Sequence, residues 1–171
     1  MLRLAMLLAT TSGLAGAAAG FPHPTAEDKT DYDKLAKEAA ETFWEHLIKA
    51  DFDEVIKAIE FPFLETGDKF DKAKDLRADL EITPKEEYAK TKVTVREVVS
   101  QEKFIEWAKK LEKQPRFIGT ESKLRKIMDR IGKDGRYVYF ETERSGEKGK
   151  RFGFLLLTFK GDKAWVVGMV D

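Results

Sequence analysis

The stretch from Lys150 to Val170 is apolar on both sides of a hairpin, and no other feature constrains the fold of this chain as strongly. Arg136 to Glu143, Lys150 to Lys160 and Lys163 to Val170 read as strands, rich in aromatic and β-branched residues. The loop Ser145-Gly146-Glu147-Lys148-Gly149 and a tight Gly161-Asp162 turn separate them. Side chains alternate across a strand. On the middle strand Phe152, Phe154, Leu156 and Thr158 share one face, and Gly153, Leu155, Leu157 and Phe159 the other. On the last strand Trp165, Val167 and Met169 fall on one face, and Ala164, Val166 and Val170 on the other. A hairpin with one wet face alternates polar and apolar residues. This one does not, so both of its faces need cover.

The upstream residues supply that cover as helices. Leu35, Ala36, Ala39, Ala40, Phe43, Trp44, Leu47 and Ile48 form one apolar stripe over about Asp31 to Ala50, with Thr30 or Asp31 placed to cap it. Asp51 interrupts the stripe and, with Glu54, forms a capping box for a short second helix bearing Phe52, Val55, Ile56 and Ile59. Phe61-Pro62-Phe63-Leu64 is an extended run that Pro62 confines to an edge or a strand start. Thr66-Gly67-Asp68 is a turn. Asp71 opens a third helix with Ala73, Leu76 and Leu80 on one side, stopped by Pro84. Lys92 to Val99 is a β-branched strand. Ser100 caps a helix carrying Phe104, Ile105, Trp107, Ala108 and Leu111, which ends at Gln114-Pro115. Leu124, Ile127, Met128 and Ile131 mark another helix over Ser122 to Ile131, with Gly132 as its stop. The class is α+β: helices lead, and a mostly antiparallel sheet ends the chain.

The N-terminus reads as an address rather than as fold. Arg3 is the only charge before Glu27, Leu4 to Leu14 is largely apolar, and Ala15 to Gly20 holds only Ala and Gly. A basic start, a short apolar core and a small-residue site define a cleavable secretory signal. The Ala17-x-Ala19 spacing places cleavage after Ala19. The apolar stretch is too short and too rich in Gly and Ala for a membrane span of about 20 strongly apolar residues. Residues 1–19 are therefore expected to be the signal, 20–30 a flexible leader and 31–171 one domain, periplasmic or secreted. Cleavage leaves 30 basic against 31 acidic residues. So even a balance gives no electrostatic reason to bind nucleic acid or an anionic membrane. There is no Cys, so packing alone must hold the domain, and no Asn, which excludes N-glycosylation.

The chemistry-bearing residues form no recognised motif. Two His cannot build a His-rich metal site: His23 lies in the leader and His46 on the shoulder of the first helix stripe. Asp51-Phe52-Asp53-Glu54 lacks the third ligand and the Gly of a calcium loop. No nucleophile elbow, zinc-protease or phosphate-loop pattern occurs. Neither metal nor cofactor is expected.

The order of elements nonetheless resembles a known family. Two amphipathic helices are split by the segment KADFDEVIKAI. The run FPFLETGDKF, a third helix and the closing hairpin LLLTFKGDKAWVVGMVD follow. This is similar to the nuclear-transport-factor-2-like superfamily, which includes SnoaL-like cyclases and ketosteroid isomerase, and within it to an exported bacterial branch with Lys/Glu-rich helices. The segment Ser100–Gly132 departs from the simplest member. The resemblance implies a cone, with helices packed on the concave side of a curved sheet, an interior that is either pocket or filled core, and a homodimer through the far sheet face. The extra helices are the other candidate cover for that face. Phe43, Leu47, Trp165, Val167 and Met169 are then expected to face the interior, with Asp171 at its open end. No catalytic residue carries over. Two functions follow: non-catalytic binding of an apolar small molecule or a protein partner, or a small SnoaL-like hydrolase or isomerase using buried carboxylates.

Overall fold

The computed structural model describes residues 31–65, 68–112, 128–129, 131–147 and 149–170. The expected signal and leader, the expected Thr66-Gly67 turn, the expected helix end at Gln114-Pro115, most of the helix expected over 122–131, the side chains of Ala108 and Leu111, Lys148 and Asp171 lie outside the described residues.

Helix α1 (Tyr32–Ile48) starts where Asp31 accepts a hydrogen bond from the Lys34 backbone N–H. It buries Ala36, Ala40, Phe43, Trp44 and Leu47, one stripe at helical spacing. Ala36 and Ala40 have no solvent exposure, so the helix lies close on the sheet. It ends in a Schellman motif: Ala50 takes a left-handed φ of 53°, its N–H donates to the Leu47 carbonyl, and the Asp51 N–H donates to the His46 carbonyl. Helix α2 (Phe52–Lys57) follows at once. Asp51 is its N-cap residue, but the expected side-chain cap is not made. The Asp51 carboxylate lies 3.4 Å from His46 Nδ1 instead, because the Schellman turn folds both residues to one side.

Strand β1 (Ile59–Glu65) pairs with the three-residue strand β2 (Asp68–Phe70), and helices α3 (Ala73–Leu80) and α4 (Lys85–Ala89) lead into β3 (Thr91–Val99). Among the described residues, helix α5 (Gln101–Glu112), β4 (Arg136–Arg144), β5 (Arg151–Lys160) and β6 (Lys163–Val170) follow, with Met128, Asp129 and Ile131 helical before β4. The sheet order is β2-β1-β6-β5-β4-β3; only the β1–β6 pair is parallel. Pro62 therefore sits in an interior strand, not at an edge. The ladder tolerates it because β1 pairs with β6 at Ile59 and Leu64 with an irregularity between, and β2 pairs only from Phe63 onward. The Phe61–Pro62 peptide is cis. Asp71 is not the helix cap: Lys72 is, and Pro84, expected only to stop α3, also begins α4.

Two apolar clusters lie on opposite faces of the sheet. The first joins α1, α2 and α3 to Val138, Phe140, Leu155, Leu157 and Val166, with Met169 and Val93 packed against it. The second holds Val99, Phe104, Met128, Ile131, Tyr137, Phe154, Leu156, Val167 and Val170. Phe104 of α5 stacks on Tyr137 at 4.2 Å, and Trp107 meets Phe154 edge-on at 4.4 Å. Helix α5 is thus a cover for the far face. Both faces of the closing hairpin are buried, as its pattern requires.

Candidate functional site

One end of the layer between α1 and the sheet is closed and the other is open. At the closed end the Tyr32 ring meets Phe159 at 4.5 Å, and Arg136 pairs with Asp33. At the open end the strand alternation changes character. Val138, Phe140, Thr142 and Arg144 share the inner face of β4, so that face runs from apolar inside to polar at the lip. Cross-strand pairing carries the change sideways: Thr91 lies opposite Arg144, and Arg151 opposite Thr142. Phe140 lies opposite Gly153, which brings no side chain to the inner face of β5.

A recess of about 330 Å³ opens there. Its floor is Trp44, Leu47 and Ile48 from the C-terminal turns of α1, with Met169 from β6. Its walls are Thr83 and Tyr88 on one side and Thr91 and Thr142 on the other. Its lip holds Glu87, Arg144, Glu147 and Arg151. Trp44 packs edge-on against Phe140 at 4.6 Å, which fixes the indole against the sheet. Tyr88 is held by its hydroxyl, which donates to the Leu80 carbonyl at 2.7 Å, and by edge-on contact with Phe52 at 5.4 Å.

The lip is a chain of alternating charges. Glu87 on α4 pairs with Arg144, Arg144 reaches Glu147 at 3.4 Å, and Glu147 accepts from Arg151 at 2.8 Å. The hydrogen bond from Lys90 first, and that from Arg144 next, hold the Glu87 carboxyl below the usual carboxylate range. Burial pushes the Tyr88 hydroxyl upward. The Ser145 N–H donates to the Lys90 carbonyl at 3.0 Å, so the β4–β5 loop is tied to the end of α4. Among the described residues no charged side chain is buried, and no group of three His, Asp or Glu gathers as a metal site. Nor is any helix among them long and apolar enough to cross a membrane.

The residues singled out in the sequence divide. Leu47 and Met169 meet at the recess. Phe43 is buried in the first cluster as filled core. Val167 packs in the second cluster, on the far face. The register between β5 and β6 shifts between Leu156 and Leu157, so one extra residue in β6 breaks the alternation and separates Val167 from Met169. Trp165, one residue before inward-packed Val166, falls on the Val167 side, with the Lys163 ammonium 3.9 Å over its ring. Asp171 lies outside the described residues. Thr142, Arg144, Arg151, Glu87 and Glu147 were missed. The signal for the β4 pair was present: polar residues succeed Val138 and Phe140 on one face.

No family model matches the chain, and no curated protein matches it. Solved structures do. A protein of unknown function from Pectobacterium atrosepticum aligns with a TM-score of 0.51 at 11% identity, covering 83% of this chain and 90% of that one. A protein of unknown function with a cystatin-like fold from Nostoc punctiforme aligns with a TM-score of 0.50 at 10% identity, covering 80% and 86%. An NTF-2-like protein of unknown function from Shewanella oneidensis gives 0.49 at 11% identity, over 80% and 95%. At such identities the likeness is one of fold. The chain shares the α+β fold of the Pectobacterium protein and of the cystatin-like Nostoc protein, with helices on an open six-stranded mixed sheet among the described residues.

Proposed function

We propose that this protein is an exported, non-catalytic binding domain that holds a small apolar molecule at the open end of its cone. The observation that carries the reading is the contrast within the recess: an apolar floor of Trp44, Leu47, Ile48 and Met169 beneath a lip whose ionisable side chains are tied to one another. Ligand sites commonly have this form, mostly apolar with a few placed polar groups. Acid–base catalysis by a carboxylate needs a group whose burial raises its pKa toward neutrality. Glu87, which lines the recess, is shifted the other way by its cationic partners. Export rests on the composition of residues 1–19.

The test is saturable binding of an uncharged naphthylamine dye, read by its fluorescence gain. Thr142→Phe would fill the recess from the sheet wall and should abolish the gain while the circular dichroism stays native. Dye binding that survives Thr142→Phe unchanged, or that never saturates, would remove the recess as the site.

A further inference from the structure

The lip holds a carboxylate clamp. Glu147 presents one oxygen to Arg144, at 3.4 Å, and the other to Arg151, at 2.8 Å. Two guanidinium groups thus share one carboxylate directly beside an apolar floor. That carboxylate sits on a loop with a glycine at positive φ on each side, Gly146 at 90° and Gly149 at 98°. Its pairs are half-exposed, and ion pairs of this kind contribute little to stability. Displacing Glu147 therefore costs little.

The charge around the clamp favours an anion. A second recess, of about 490 Å³, adjoins the first and shares Arg144, Glu147 and Gly149 with it. Together the two are lined by the cations Lys90, Lys92, Arg144, Lys150 and Arg151, against the anions Glu87, Glu143 and Glu147. Including the neighbouring Arg96–Glu141 pair leaves the excess of two unchanged. The chain as a whole is neutral, so the excess is local. A lip of net positive charge over low-dielectric walls concentrates anionic ligands. Guanidinium pairs select carboxylates by geometry as well as by charge.

We infer that the ligand of the recess is a small amphipathic carboxylate, its apolar body on Trp44, Leu47 and Met169 and its carboxylate between Arg144 and Arg151 in the place of Glu147. The inference rests on the recess being the binding site. Glu147 is an internal competitor, and Arg151, which pairs with no other residue in the clamp, is the residue that discriminates acid from ester.

Calorimetry with decanoate and methyl decanoate on the full mature chain tests this. Decanoate is expected to bind roughly two- to fivefold more tightly than its ester, the size of about one exposed charge pair. Arg151→Gln should lower the acid-over-ester preference. Glu147→Gln should tighten decanoate and raise the acid-over-ester preference. Added salt should weaken the acid only. Equal binding of acid and ester, or a weaker decanoate complex in Glu147→Gln, would overturn the clamp while the recess remained a ligand site. Failure of both compounds to bind would overturn the clamp and the ligand site together.

Discussion

Phe104 of α5 lies parallel to Tyr137 of β4, ring centroids 4.2 Å apart, with no solvent reaching either ring. The contact fastens α5 over the far face of the sheet, where Phe104 and Trp107 both pack edge-on against Phe154. Phe104→Ala should cost about 3–5 kcal/mol, the usual loss for a buried Phe. Denaturant unfolding measures it, and the opened face should raise self-association in sedimentation. A loss below ~1 kcal/mol would mean that α5 is not the cover.

The same stack makes a second, opposite expectation. The Tyr137 hydroxyl is buried and has no hydrogen-bond partner among the described residues, and burial pushes its pKa up. An unpaired buried hydroxyl costs about 1–3 kcal/mol. Tyr137→Phe keeps the ring and removes the hydroxyl, so it should leave stability unchanged or raise it by about 1 kcal/mol. Marked destabilisation in the same unfolding assay would show that the hydroxyl has a partner.

Gly168 of β6 pairs with Leu64 of β1. A Cβ there would lie 2.6 Å from the Leu64 carbonyl oxygen and 3.1 Å from Leu156 Cδ1. Backbone cannot give way as a side-chain tip can, so Gly168→Ala should cost about 1–3 kcal/mol through overpacking. A neutral result in thermal unfolding would contradict the parallel β1–β6 pairing.

How much of this was readable beforehand depends on length and register. Helix α1 and the strands β4, β5 and β6 announce themselves through long, regular patterns. The strand β2, of three residues, and the helix α4, of five, are too short to show a period. The site suffered more. Leu47 and Met169 were legible because apolar residues at the end of an apolar face must pack somewhere. Val167 was not, since a one-residue bulge flips a face without any mark in the composition. Glu87, Glu147 and Arg151 look like any other surface charge in a chain rich in Lys and Glu. Only the docking of α4 beside the β4–β5 loop brings them together.

That docking has a pH dependence with a definite sign. Glu87 is held below the usual carboxylate range by Lys90 and then by Arg144. A carboxyl depressed in the folded state contributes stability above its unfolded pKa and loses it as pH falls through the folded value. The Glu87 ties are therefore fully present at neutral pH and lost only in acid. A carboxyl-carbon NMR titration should place the Glu87 midpoint below the ordinary Glu value of about 4.3. A midpoint above that value would mean that α4 is not tied to Arg144 in solution.

The proposed export makes a chemical expectation at the other end of the chain. Sequencing of mature protein from its native host should find a first residue near Gly20 or Phe21, following cleavage after Ala19. Met1 retained on protein recovered outside the cytoplasm would contradict it.

The open-end site itself is tested most directly by methyl NMR during titration with an uncharged apolar dye. Leu47, Ile48 and Met169 line one recess, while Val167 and Val170 pack on the opposite sheet face. The methyls of Leu47, Ile48 and Met169 should shift together and saturate at one dye per chain, with those of Val167 and Val170 unmoved. Shifts confined to Val167 and Val170, or no saturable shift at any of the five, would contradict a binding site at the mouth of the cone.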